Sequence, residues 1–183
     1  MIIIGRRFQA YYVYKGEEED RKVGFHMQVC CGDDTICLLE QVLLFAEKYM
    51  RYSFNLFQKP RYDFDDKSVY LLESLTNVIQ RNGVFLNARQ LSDANDDPLK
   101  ADNNDGIFIV DLRNKKPKYC LMNYDFKVVT PGEYFEIYRH EYTEKDSILK
   151  EIPEVVKNIE QFETLTLEEV KELYPTLITG FDI

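Results

Sequence analysis

The fold is decided by residues 6–50, which read RRFQAYYVYKGEEEDRKVGFHMQVCCGDDTICLLEQVLLFAEKYM. Residues 6–14 and 23–31 are rich in aromatic and β-branched side chains, and the charged stretch at 16–20 separates them, which predicts a β-hairpin. After the N-capping candidates Asp33, Asp34 and Thr35, apolar side chains recur at the spacing of a helix. The stretch therefore predicts two paired strands followed by a long, deeply buried helix.

Turn residues and capping motifs predict the elements that follow. A second helix begins after Asp65 and Asp66 and ends at Gly83, and the polar residues 92–106 form a loop. Strands are predicted at 107–113, 119–124 and 134–142, a short strand at 126–130, and turns at 115–117 and 131–133. Residues 143–146 (TEKD) and 166–169 (TLEE) have the pattern of a capping box, so each predicts the start of a helix.

The order of these elements separates strands from helices, because two strands and two helices are followed by more strands and then by helices. Such an order favours the α+β class over a doubly wound parallel sheet. We expect an antiparallel sheet with segregated helices and an acidic helical C-terminal segment at residues 142–183. The length of 183 residues suits a single domain spanning 1–183.

Composition and cysteine spacing exclude several classes of protein. The apolar runs contain only a few residues, far fewer than the roughly 18 that a membrane-spanning helix needs. The segment at 1–7 places its charges after a short apolar stretch, the reverse of a secretory signal. The 4 cysteines show no CxxC spacing, so buried, reduced thiols are expected in place of a zinc site. The sequence therefore predicts a cytoplasmic protein with no membrane partner and no cofactor.

The negative charge is concentrated in the last third of the chain. Residues 131–183 carry 13 acidic and 5 basic side chains, a balance of −8, so residues 1–130 contribute only −1 to the total of −9. A surface of this sign repels nucleic acid and attracts basic proteins. We therefore expect a basic protein partner and no direct contact with nucleic acid. The predicted acidic side of the contact consists of Glu144, Asp146, Glu151, Glu154, Glu160 and Glu163.

Two acidic motifs are candidates for metal binding. With Gly106 at the sixth position of the EF-hand pattern, Ala101 and Leu112 stand where carboxylates are required, so that pattern fails. An irregular cation site in the loop is left open, while a solvated loop is the simpler interpretation; its oxygen ligands would come from Asp93, Asp96, Asp97, Asp102 and Asp105. The tripeptide Asp111-Leu112-Arg113 has the shape of a nuclease element, but arginine replaces the usual lysine, and we interpret it as coincidental.

An enzyme is the first alternative. Cys37 falls near the start of the predicted helix, where the helix dipole lowers the pKa of a thiol. His140 on a later strand would be its base, oriented by Glu136 or Asp125, as in a small cytoplasmic cysteine hydrolase. The acidic pair before Cys37 opposes this hypothesis. The GxGxxG, P-loop, GxSxG and HExxH motifs are all absent.

The aromatic residues suggest contact surfaces. There are 13 tyrosines and 12 phenylalanines but no tryptophan, and tyrosine is favoured at protein interfaces. Because Tyr11, Tyr12 and Tyr14 fall on both faces of the first strand, at least one is expected to be exposed. On the predicted strand at 134–142 the tyrosines share one face, which could add to a binding surface; they are Tyr134, Tyr138 and Tyr142.

A second alternative rests on the segments 48–52 (KYMRY) and 59–62 (KPRY), where basic and aromatic residues interleave. This mixture suits a regulator that binds single-stranded nucleic acid, with rings for stacking and cations for phosphate. The acidity of the whole chain works against it. In size, tyrosine content, acidity and lack of catalytic motifs, the chain resembles phage-encoded inhibitors of host defence, including anti-CRISPR proteins, and toxin-immunity proteins. No motif carries this resemblance, which implies an inhibitor of a nucleic-acid-handling protein, in the host cytoplasm if phage-encoded.

Overall fold

The computed structural model describes residues 7–15, 19–28, 32–57, 80–81, 84–85, 87–91, 105–114, 116–143 and 145–175. Within them the strands are β1 Arg7–Lys15, β2 Asp20–Gln28, β3 Gln80–Arg81, β4 Val84–Phe85, β5 Asn87–Leu91, β6 Ile107–Asp111, β7 Lys118–Met122 and β8 Glu163–Thr164. The helices are α1 Gly32–Phe57, α2 Pro131–Tyr138, α3 Ile148–Ile159 and α4 Leu167–Leu173, and a 3-10 turn at Arg139–Glu141 follows α2. No helix in these ranges is both long enough and apolar enough to cross a membrane.

The main sheet is mixed, so the prediction of an antiparallel sheet is wrong, while the α+β class is confirmed. Its strand order is β5-β2-β1-β6-β7-β8, and β3 and β4 form a separate two-stranded ribbon. β1 pairs antiparallel with β2 in the predicted hairpin but parallel with β6, and β7 pairs parallel with β8. The parallel pairs arise because long connections, including α1, cross over before the chain returns to the sheet.

Strand β1 is central, with β2 on one side and β6 on the other. Tyr11 and Tyr12 are fully buried and Tyr14 is nearly so, which contradicts the expectation that one of them is exposed. Both faces of β1 are covered. Side chains that alternate along this strand therefore point into one core or the other, and neither set points into solvent. One face carries Phe8, Ala10, Tyr12 and Tyr14, and the other carries Gln9, Tyr11 and Val13.

The two cores lie on opposite faces of the sheet. The first core lies on the sheet face that carries Phe8 and Tyr12, and it includes side chains of β1, β2, β6 and β7. Helices α1, α2 and α3 pack on this face, for example through Leu39, Phe135 and Ile152. The second core joins the other face to Leu165 and to α4 through Val170 and Leu173. The helices after residue 142 are therefore divided between the faces, with α3 on the first and α4 on the second.

The segment at 134–142 is helical, so the predicted strand there is wrong. α2 begins directly after Thr130, whose hydroxyl oxygen accepts a hydrogen bond from the Glu133 amide at 3.2 Å, while the Glu133 carboxylate accepts one from the Thr130 amide at 2.8 Å. Pro131 occupies the first turn, where its missing N–H has no cost. The residues predicted as a turn at 131–133 are thus the first turn of a capped helix.

Smaller differences concern element boundaries. The second capping box is confirmed at Thr166 and opens α4, whereas α3 begins after Ser147, and the bonds between Thr143 and Asp146 close a turn that precedes it. The predicted strand at 126–130 reduces to a single bridge between Met122 and Val128. Most of the predicted second helix and of the Asp-rich loop lies outside the described residues.

Candidate protein-binding surface

The predicted acidic residues that the structure describes are exposed, and they belong to several different elements. Glu151 and Glu154 lie on α3, Glu160 ends that helix, and Glu163 lies on the edge strand β8. Asp146 precedes α3 and accepts hydrogen bonds from the amide and hydroxyl of Thr143 at 2.6 and 3.0 Å. Glu144 is outside the described residues.

Glu163 is paired within the protein. Its carboxylate is 2.7 Å from the Lys118 ammonium group, which is also 3.0 Å from Glu169. Hydrogen bonds to these two acids raise the pKa of Lys118, and the pKa of Glu169 is lowered by the amide of Thr166 and by Lys118. Glu163 therefore connects β8 to β7.

Helix α3 joins α1 along a polar contact. The Asn158 amide nitrogen donates a hydrogen bond of 2.8 Å to the Glu40 carboxylate. Glu154 and Glu151, four and seven residues before Asn158, lie within roughly 40° of it around the helix axis, because each residue turns the helix by about 100°. The two glutamates therefore lie on the same flank of α3 as the residue that contacts α1.

The matching flank of α1 is also acidic. Leu44 and Glu47, four and seven residues after Glu40, lie within roughly 40° of it around the axis of α1. Glu40 and Glu47 are half-buried, and Leu44 is 42% exposed although its side chain is large and apolar. Glu40, Leu44 and Glu47 therefore share one flank of α1, and Glu151 and Glu154 share the flank of α3 whose Asn158 contacts Glu40; we name these five residues the acidic seam.

Basic residues of the same helices border the acidic seam, since Lys150 and Lys157 are four and three residues from Glu154 and Lys48 is four residues after Leu44. Lys150 and Lys157 are exposed on α3, roughly 80–100° around the axis from Asn158, and Lys48 is roughly 80° from Glu40 on α1. Helix α3 carries two acids and two lysines and is neutral as a whole. The exposed acids of α3 therefore have lysine neighbours on the same helix.

The three tyrosines predicted to join the surface point inward or are partly covered. Tyr134 is fully buried and Tyr138 is nearly so, and both hydroxyl groups donate to the carbonyl oxygen of Asp105 at 2.7 Å. Tyr142 is half-buried and donates to the Asp33 carboxylate at the start of α1. These side chains join the end of the Asp-rich loop and the start of α1 to the helices.

The structure places the two residues of the proposed catalytic pair in different surroundings. Cys37 lies in the second turn of α1, and its side chain is fully buried. His140 is in the exposed 3-10 turn and not on a strand, and its Nδ1 atom is 3.0 Å from the carbonyl oxygen of Ile137. Glu136 and Asp125, named as orienting groups, are both exposed.

The nuclease-like tripeptide forms an internal ion pair. The Arg113 guanidinium group makes two bonds to the nearly buried Asp111 carboxylate, at 2.9 and 2.7 Å, and a third to Asp20 at 2.8 Å. Asp111 raises the pKa of Arg113, and Arg113 lowers the pKa of Asp20. Arginine in this position therefore joins the end of β6 to the start of β2, which explains the residue that departed from the nuclease pattern.

Metal binding is not indicated in the part of the chain that the structure describes. Its His, Cys, Asp and Glu side chains form no group of three or more that could hold an ion. Of the five loop aspartates, Asp105 is described and is nearly buried, and the others lie outside the described residues. Cys120 on β7 belongs to the second core, and burial raises the pKa of its thiol to about 12.

Sequence reasoning missed Glu40, Leu44 and Glu47. Their spacing of four and seven residues was visible, but acids at that spacing are common on solvated helix faces. The structure shows in addition that Glu40 accepts a hydrogen bond from Asn158 on α3, more than a hundred residues later. The segments 48–52 and 59–62 lie almost wholly outside the described side chains, apart from the exposed Lys48.

Comparisons of the chain with protein families, curated proteins and solved structures found no match.

Proposed function

We propose that this protein is a non-enzymatic binding protein whose acidic seam receives a basic surface of a partner protein. The observation that supports the proposal is the hydrogen bond between Asn158 and Glu40, which joins a flank of α3 that carries the exposed Glu151 and Glu154 to a flank of α1 that carries the exposed Leu44. Complementary charge speeds the encounter of two proteins and sets their relative orientation. An apolar side chain inside a charged border matches the usual layout of a protein interface, in which the centre is dry and the rim is polar.

The negative charge of the protein indicates the class of protein that it binds. Nucleases and related effectors hold nucleic acid in positively charged channels. An acidic domain that occupies such a channel excludes the nucleic acid, which is how an inhibitor of the anti-defence, anti-CRISPR or toxin-immunity type would act. The net charge of −9 favours this partner over nucleic acid itself.

The test is a tagged pull-down from a bacterial lysate at low and moderate salt, followed by affinity measurement with the purified partner. The variant Glu151→Lys/Glu154→Lys reverses the α3 side of the seam. Glu168→Lys/Glu172→Lys is the matched control, because it makes the same change in net charge at exposed positions of α4, on the opposite face of the sheet. We expect the seam variant to weaken Kd by at least about tenfold at low salt and the control variant to bind nearly as the wild type does.

Equal losses in both variants would mean that the partner responds only to net charge. Unchanged binding of the seam variant would place the contact elsewhere. Failure to capture any basic partner at either salt concentration would contradict the proposed function itself.

A further inference from the structure

The two faces of the sheet are covered unequally within the described residues. Three helices cover the first face, including α1, which has 26 residues. On the second face the described helix is α4, which has 7 residues. A helix this short does not persist alone in water, because helices below about 12–15 residues gain too little to offset the cost of nucleation.

Among the described residues, a small apolar cluster, a backbone hydrogen bond from the Leu165 amide to the Tyr119 carbonyl oxygen and a pair of ion pairs attach α4 and its flanks to the sheet. The apolar contacts come from Leu165, Val170, Leu173 and Tyr174, which pack on the face formed by β1, β6 and β7. On the polar side, Lys118 on β7 pairs with Glu163 before α4 and with Glu169 within it.

A second lysine holds the other end of the helix. Lys22 on β2 donates a hydrogen bond to the carbonyl oxygen of Leu173, and its ammonium nitrogen is 4.9 Å from the centre of the Tyr174 ring. Ion pairs between partly exposed groups such as those of Lys118 weaken as salt is added. The attachment of α4 is therefore sensitive to ionic strength, whereas the packing of α1 on the first core is apolar.

We propose that α4 is a detachable cover, which opens to expose the second apolar face of the sheet while the first core stays folded. Opening removes the α4 side chains from the cluster that contains Tyr11, Val13 and Ile109, all three of which are fully buried. Local opening of a weakly held element below the free energy of global unfolding is a general property of folded proteins. This inference is independent of the acidic seam, which lies on the other side of the molecule.

The chain carries its own reporters of this motion. Cys120 belongs to the second core and Cys37 to the first, and both are buried thiols. A buried thiol is alkylated only when the structure around it opens, because the reagent needs access and a thiolate. Labelling of Cys120 therefore reports the opening of the second core, and labelling of Cys37 reports the opening of the first.

The experiment is time-resolved alkylation of the native protein with iodoacetamide at about pH 8, with each cysteine resolved by tandem mass spectrometry. We expect Cys120 to react at least about tenfold faster than Cys37 in the wild type. Raising NaCl from about 0.05 M to about 0.5 M should speed the labelling of Cys120 and leave Cys37 unchanged. Equal rates for the two thiols at both salt concentrations would overturn the proposal, since α4 would then open only with the whole molecule.

A pair of variants assigns the opening to α4. Lys118→Gln removes the ion pair with Glu169 on α4 and the one with Glu163 on β8, just before α4, and should speed Cys120 labelling several-fold. Lys15→Gln is the control, because it removes the exposed pair with Asp20, 3.5 Å long, elsewhere on the sheet. If the two variants change the Cys120 rate equally, the opening does not involve α4 and the proposal fails. An unchanged Cys37 rate in each variant shows that the first core remains folded.

Discussion

At the scale of single residues, Gly106 is where the backbone leaves least room for a side chain. Its φ of +124° is strained for any other residue, and a Cβ there would overlap the carbonyl oxygen of Met122 on β7. We expect Gly106→Ala to lower the free energy of unfolding by about 2–4 kcal/mol, measured by urea denaturation. Gly132→Ala is the control: a Cβ there is in ordinary contact, 3.9 Å from Val156, and stability should change by less than about 1 kcal/mol. Equal losses of stability in Gly106→Ala and Gly132→Ala would contradict the explanation by backbone strain and overlap at Gly106.

The residue scale also shows where side-chain identity misled the prediction. Tyrosine is frequent at interfaces, but it is equally suited to a core in which its hydroxyl group finds an acceptor. Tyr134 and Tyr138 find the same acceptor, the carbonyl oxygen of Asp105 beside Gly106. The sequence contains the two hydroxyl donors, but the position of their carbonyl acceptor depends on where the Asp-rich loop ends and β6 begins.

At the scale of elements, the start of α2 depends on the capping box of Thr130 and Glu133. Thr130→Ala removes the side-chain acceptor of this box and should cost about 1 kcal/mol of stability in thermal or urea unfolding. Ser147→Ala is the matched control, because Ser147 occupies the N-cap of α3 without a side-chain cap bond. A cost for Ser147→Ala as large as that for Thr130→Ala would refute the role of the hydroxyl group.

The capping box of Thr130 and Glu133 also predicts how the Glu133 carboxyl group titrates. Hydrogen bonds from the amide and hydroxyl of Thr130 lower the pKa of Glu133 below the ordinary value of 4.5. Because the folded pKa is the lower one, this stabilisation is present above pH 4.5 and is lost as the pH falls through the folded pKa. In Thr130→Ala the carboxyl titration of Glu133, followed by NMR, should move up toward 4.5. No movement would mean that the box does not form in solution.

Helices and strands were predicted correctly where the sequence carries a strong local signal and the prediction relied on that signal. The hairpin, α1, β6, β7 and α4 were predicted from alternation, helical spacing and a capping box. The strand expected at 134–142 failed because its aromatic residues outweighed the Thr130-x-x-Glu133 pattern with proline in the first turn, which is itself a sequence signal for a helix. That signal was present and could have corrected the prediction.

At the scale of the whole molecule, the two cores differ in what they contribute to stability. Val110 on β6 and Val170 on α4 are both fully buried, in the first and second core respectively. Val110→Ala should lower the global free energy of unfolding by about 1–3 kcal/mol, because the cavity lies in the centre of the sheet. Val170→Ala should lower the free energy of unfolding by less than Val110→Ala does. Because α4 can detach by itself, the variant can lose no more than the free energy of that local opening. A larger loss for Val170→Ala in urea unfolding would contradict the two-core description.

The sequence by itself determined the α+β class, the hairpin, the long buried helix and the acidic excess after residue 130, since each depends on local spacing or on composition. The tertiary structure alone decided that β1 pairs parallel with β6, that both faces of β1 are buried, and that α3 and α4 lie on opposite faces. It also decided that Glu40 meets Asn158, which creates the acidic seam. The physical reason is that side-chain periodicity reports which face of an element is buried, whereas contacts between residues far apart in the chain depend on the packing of the whole molecule.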